Sequence, residues 1–169
     1  MTSSGVTKVA SSPAKKTLFD VRDTKKLSHQ DAQFFHTHVA KMLYLAKRVK
    51  PECLAAVAFL STRVTMSDED EMNKLMRLLG YVLGMHQTGI TLKIGDVMSV
   101  NVFIDAAYGV HSDSGKSHTG CAIVLEEEGP LYAKSCKQKV VTKSFTEAEL
   151  VGLSDTASQA IHTRQFLIA

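Results

Sequence analysis

The sequence predicts an α+β protein: a three-helix segment, then an antiparallel β-meander and one long helix. Three observations carry this expectation. Apolar residues recur at helical spacing up to about residue 88, and short β-rich runs divided by turn signals come next. Helical spacing returns after Thr146. With 169 residues, 44% hydrophobic and 22% charged, the chain suffices for one ordinary domain or two small ones. Collagen, coiled coil and a wholly disordered chain are excluded.

Residues 1–30 are rich in Ser, Thr and Lys and read as a flexible lead-in, with an extended patch at Thr17–Val21. Ser28 is the N-cap of the first helix. Phe35, Val39, Met42, Leu43, Ala46 and Val49 then form one greasy helical face. Pro51 stops that helix and opens the next, which is apolar nearly all round to about Arg63. Ser67 followed by four acids, Asp68 to Glu71, predicts a third helix with Ser67 as its cap. Its stripe is Met72, Leu75, Met76, Leu79, Val82 and Leu83. The helical segment is placed at 31–95 and the second part at 96–169.

Four short runs read as strands: Ile90–Ile94, Val100–Asp105, Thr119–Leu125 and Leu131–Cys136, with Glu126–Pro130 as a hairpin loop. Such a short loop forces its strands to be antiparallel. The last helix is expected from Thr146, its N-cap, with Glu149 as capping-box partner. Leu150, Leu153, Ala157, Ile161 and Ile168 mark its apolar face.

No apolar run exceeds eight residues (Cys53–Leu60), far below the roughly 20 of a spanning helix. The opening residues are polar, unlike a signal peptide, so an intracellular, soluble protein is expected. The three cysteines are widely spaced with no C-x-x-C pair, which argues against disulfides and a Cys-based zinc site. Cys53 and Cys121 read as small buried hydrophobes. Residues 1–50 hold 10 Lys/Arg against 3 Asp/Glu, a balance of +7, whereas the remainder holds 10 against 14. A basic leading segment suits a polyanion partner or a solvated linker.

Asp105 follows an apolar β run and emerges at the sheet's end. At about 100° per residue, Glu149 falls on the shoulder of the apolar stripe of the last helix, while Glu147 falls about a quarter turn from it. Glu149 therefore approaches the sheet edge better. Converging carboxylates call for a cation, and hard oxygen ligands suit Mg²⁺ or Mn²⁺. The plainer reading stands beside this one: Asp105 as a turn residue and both Glu as dipole caps.

A longer pattern bears on that choice. Phe103-Ile104-Asp105-Ala106-Ala107-Tyr108, Ser117-His118-Thr119-Gly120, Ser135-Cys136-Lys137-Gln138 and Ser144-Phe145-Thr146-Glu147-Ala148-Glu149 occur in this order. Together they resemble the ribonuclease H domain of copia-type retrotransposon polyproteins. Upstream, Val39-Ala-Lys-Met-Leu-Tyr-Leu-Ala is similar to the segment after the reverse-transcriptase palm of those polyproteins. Leu78-Leu-Gly-Tyr-Val-Leu-Gly-Met-His-Gln-Thr-Gly-Ile-Thr-Leu is similar to their linker. The likeness runs collinearly over roughly residues 17–169.

The resemblance implies a truncated ribonuclease H-like fold after the helices, with Asp105 and Glu149 as catalytic, metal-binding carboxylates. The implied chemistry is two-metal hydrolysis of RNA in an RNA–DNA hybrid, using Mg²⁺ or Mn²⁺. Departures from the pattern are specific. Ala107 replaces a second carboxylate, Leu150 replaces a Tyr, and the palm signature Tyr-x-Asp-Asp is absent. The family's later acids fall beyond Ala169, so the chain alone is expected to hold the ions poorly and to cleave little.

Lys134, Lys137, Lys139 and Lys143 could neutralise hybrid phosphates, or equally guard a strand edge. Self-association through an exposed sheet edge is a further expectation. His111 and His118 are expected in solvent beside a Ser/Gly turn, and His36 and His38 point to different helix faces. No His is assigned a ligand role. The alternative class is a non-enzymatic remnant, a helical module that binds a partner or nucleic acid.

Overall fold

The computed structural model describes residues 8–92, 99–126 and 129–168. Among them lie four α-helices and a three-stranded antiparallel sheet, helices first, then the meander, then the last helix. The chain divides into two compact units, Met1–Gly89 and Ile90–Ala169. The expected boundary between 95 and 96 lies outside the described residues.

In the first unit, α1 runs His29–Arg48, and Ser28 caps it by accepting from the Asp31 N–H at 3.2 Å. Its buried residues, Phe35, Val39, Met42 and Ala46, follow the predicted face. Pro51–Cys53 form a single 3₁₀ turn, after which α2 spans Leu54–Ser61 and buries Leu54, Ala56, Val57, Phe59 and Leu60. Pro51 suits this start because it lacks the N–H that a first turn leaves unpaired.

The third helix, α3, spans Glu69–Gly84 and differs from expectation in two ways. Its cap is Asp68, not Ser67. The Asp68 carboxylate accepts from the Asp70 and Glu71 N–H groups, and Glu71 accepts from the Asp68 N–H in return. The buried face is Glu71, Leu75, Leu78 and Tyr81, and Leu83 is exposed. Glu71 sets this face because its other carboxylate oxygen accepts from Arg63 Nε at 2.9 Å, a buried pair.

Residues 8–28 do not behave as a lead-in without contacts. Leu18 is buried, Phe19 meets the Phe59 ring edge-on at 5.7 Å, and Leu27 donates to the Ser67 carbonyl. Aromatic and aliphatic residues among the Ser and Lys of this segment supply apolar surface that α2 and α3 cover.

In the second unit, β1 (Val100–His111), β2 (Lys116–Leu125) and β3 (Pro130–Lys137) pair in the order β1-β2-β3. Asp105 lies opposite Gly120, which lies opposite Ser135. β1 continues past Asp105 because an irregularity between Ala107 and His111 re-aims the strand, with Gly109 at φ +60°. Asp105 is therefore mid-strand, not terminal. Ile90–Leu92 are not in a strand, although the Thr91 carbonyl accepts from the Gly129 N–H; Lys93 and Ile94 lie outside the described residues. Glu127 and Glu128 of the expected loop also lie outside them.

The last helix, α4, spans Phe145–Ile168 and packs on β1 and β2. It does so by small residues: Ala148, Gly152 and Thr156 are buried. A Cβ at Gly152 would lie 3.3 Å from Thr119 Cγ2 and 3.4 Å from Ile104 Cγ2, so the helix sits close to the sheet. The predicted apolar face points away, with Leu150 60%, Leu153 52% and Ile161 57% exposed. Close approach selected the small-residue stripe over the larger apolar one.

Candidate functional site

Along β1, Ile104 and Ala106 share the sheet face that α4 covers, since Ile104 meets the Gly152 position and Ala106 is buried. Side chains alternate across a strand, so Asp105 projects to the other face, where it is exposed.

The start of α4 decides where the two glutamates go. Ser144 is the cap: its Oγ accepts from the Glu147 N–H at 3.1 Å and its carbonyl from the Ala148 N–H. Thr146 lies inside the helix, two residues later than the cap. Glu147 turns back, and its Oε2 accepts from the Lys143 N–H at 2.6 Å. Glu149 is thereby released from the capping role expected of it. Its Oε1 accepts from the backbone N–H of Ala106 at 3.2 Å, one residue from Asp105.

A side chain outside that expectation fixes this arrangement. Gln138 is buried, and its Nε2 donates to Thr119 Oγ1 and to the Ala148 carbonyl, both at 2.9 Å. Its backbone N–H donates to the Ser117 carbonyl. Gln138 thus ties β2 to the first turn of α4 immediately before Glu149. Its place in the Ser135–Gln138 run gave it a motif position, but nothing in its residue type announced burial.

Two carboxylates offer hard oxygen donors of the kind that Mg²⁺ and Mn²⁺ prefer. Glu149 already accepts a backbone hydrogen bond, and Asp105 sits on the face turned from α4. Among the described residues no group of three or more His, Cys, Asp or Glu could hold a metal ion. Asp105 and Glu149, placed in this way, do not by themselves fit a pair of divalent ions.

The four lysines do not form one row. Lys137 pairs with Asp113 at 3.0 Å, while Lys134 points toward α4 and the Asp155 carbonyl at 3.5 Å. Lys139 and Lys143 are exposed.

His111 and His118 are buried, 1% and 5% exposed, contrary to the expectation of solvent. His111 Nε2 lies 3.0 Å from His118 Nδ1, and His118 Nε2 lies 2.6 Å from Ser135 Oγ. Burial pushes both imidazoles down to about 4. The Lys137 ammonium adds to this at His111, against an opposing pull from Asp113, and His111 adds to it at His118. The hairpin brings together two histidines seven positions apart.

Comparison with known proteins settles the kinship. The chain is 35% identical over 121 residues to the retrovirus-related Pol polyprotein from transposon RE2 of Arabidopsis thaliana. It is 34% identical over 121 residues to that from transposon RE1 of the same plant. Each match covers 72% of this chain. The chain belongs with the copia-type retrotransposon Pol polyproteins. The matched stretch of this Pol region spans 8% of the length of each relative. No protein-family profile matches it, and no solved structure does. No helix among its described residues is long and apolar enough to cross a membrane.

Proposed function

We propose that this Pol region joins the helical segment downstream of a reverse-transcriptase palm to the opening half of a ribonuclease H-like domain. Within the polyprotein, Asp105 and Glu149 are two of the carboxylates for hydrolysis of RNA in an RNA–DNA hybrid, with Mg²⁺ or Mn²⁺ as the ions. The observation that supports this reading is the reach of Glu149 from α4 to the backbone of Ala106 on β1, next in sequence to Asp105, whose own side chain lies on the opposite sheet face. Glu147, the competing acid, is held at the helix start. Two carboxylates are too few to hold two divalent ions, so further acids of the polyprotein complete the set in this reading.

The test compares the 169-residue chain with a Pol polypeptide carrying this region in its polyprotein context, on a labelled RNA–DNA hybrid with Mg²⁺ or Mn²⁺. Cleavage by the polyprotein but not by the chain is expected. A polyprotein whose hybrid cleavage is unchanged by Asp105→Asn would overturn the assignment.

One observation favours a second reading, that of a binding module. Leu150, Leu153 and Ile161 face outward along α4, an apolar row of the kind that a partner or a second copy covers.

A further inference from the structure

The first unit holds a cleft of about 220 Å³, lined by Lys15, Arg22, Lys74 and Arg77 with Asp70 and Asn73. One water needs roughly 15 Å³ by comparable measure, so the cleft admits a group of several heavy atoms. One wall is the segment before α1. The other is a single face of α3, since Asp70, Asn73, Lys74 and Arg77 recur at helical spacing.

Asp70 answers only part of the positive charge. It lies 2.8 Å from Lys74 and 3.8 Å from Arg22. Lys74 also donates to the Asp20 carbonyl and lies over the Phe59 ring. Lys15 and Arg77 have no carboxylate partner among the described residues. Arg77 Nη2 donates to Ser12 Oγ at 2.8 Å, but its Nε is buried with no hydrogen-bond acceptor among the described residues. A buried donor left without an acceptor is unfavourable, and a guanidinium fork matches the oxygens of an oxyanion.

We propose that this cleft binds a phosphate group, with the Arg77 guanidinium and the Lys15 ammonium as the cations that no carboxylate among the described residues answers. Four cations against one carboxylate suit a group carrying one or two negative charges, and the +7 balance of residues 1–50 extends the attraction outward. A nucleic-acid strand and a free nucleotide share this chemistry. The inference stands on the first unit and is independent of the carboxylates on β1 and α4.

The experiment uses the full chain and reads fluorescence anisotropy of a labelled single-stranded oligonucleotide over a range of salt, with calorimetry of inorganic pyrophosphate as a second arm. The Lys15→Gln/Arg77→Gln pair is expected to weaken oligonucleotide binding about tenfold at low salt and to flatten the salt slope by about one to two. The Lys41→Gln/Lys47→Gln pair makes the same charge change on exposed positions of α1 and should weaken binding less than about twofold. Loss in the oligonucleotide arm alone assigns the strand as the source of phosphate, and loss in the pyrophosphate arm assigns the free group. Equal loss from both pairs, or no loss from the cleft pair in either arm, overturns the proposal. Should Arg77→Gln lower the melting temperature, Lys15→Gln alone, on the segment before α1, carries the same comparison.

Discussion

The side-chain amide of Gln138 donates at 2.9 Å to the carbonyl of Ala148, the residue before Glu149. One amide, also bonded to Thr119, thus fixes the height at which α4 begins on the sheet. Replacing Gln138 with Leu keeps the bulk but leaves Thr119 Oγ1 and the Ala148 carbonyl without this donor. Leaving buried polar groups unsatisfied is unfavourable by about 1–3 kcal/mol. But the substitution also removes the buried Gln138 Oε1, which has no hydrogen-bond donor among the described residues, so Gln138→Leu should destabilise the second unit by about 1 kcal/mol in urea denaturation. Amide exchange at Ala106 should accelerate in the same variant, because Glu149 then reaches it less often.

Gly152 meets Thr119 and Ile104 at distances that leave little room for a side chain. Alanine is better than glycine in a helix interior by about 1 kcal/mol, which offsets part of the crowding from one methyl. Leucine brings three further carbons against β1 and β2, and Gly152→Leu should destabilise by about 1–3 kcal/mol. Thermal denaturation of the two variants checks the order: Ala close to wild type, Leu well below it.

The His111–His118 pair predicts a pH dependence whose sign comes from linkage. Both folded-state values fall to about 4, below the usual histidine value of 6.5. Between those limits the unfolded chain binds more protons, so stability is full above about 6.5 and is lost as the pH falls toward 4. Each histidine contributes up to about 1.4 kcal/mol per pH unit in that window. Urea midpoints at pH 7 and pH 5 measure the loss, and His111→Phe should reduce the difference between them.

Exposed apolar residues on α4 should matter little to folding and more to association. Leu153→Glu is expected within about 0.5 kcal/mol of wild type in stability. It should also lower any concentration-dependent self-association seen by sedimentation velocity.

How much of this the sequence revealed differs from element to element. The α1 face and its Ser28 cap were legible because a long periodic stripe had one side to bury. The cores of β1, β2 and β3 were legible because β-branched residues lie between clear turn signals, whereas Ile90–Leu92, expected as a strand on the same signals, are not in one. The helical period of α4 is legible, but the side that packs on the sheet is not. Periodicity locates an apolar stripe without saying which stripe is covered, and Ala148, Gly152 and Thr156 win by admitting the sheet closely. The cap of α4 lies two residues before the expected Thr146 because Ser144 and Thr146 are both good caps, and the bonds that Ser144 accepts from Glu147 and Ala148 decide between them. The histidine pair was hidden because the irregularity near Gly109 brings its members together across the hairpin. Kinship to Pol polyproteins, by contrast, was legible from the order of four short motifs.

The assignment of Glu149 over Glu147 is tested most directly by hybrid cleavage in the polyprotein context, reading Asp105→Asn, Glu149→Gln and Glu147→Gln side by side with Mg²⁺. Asp105→Asn and Glu149→Gln should each lower the rate about a hundredfold or more. Glu147→Gln should stay near wild type, because that side chain serves the Lys143 N–H. Cleavage that survives Glu149→Gln but is lost in Glu147→Gln would contradict the account.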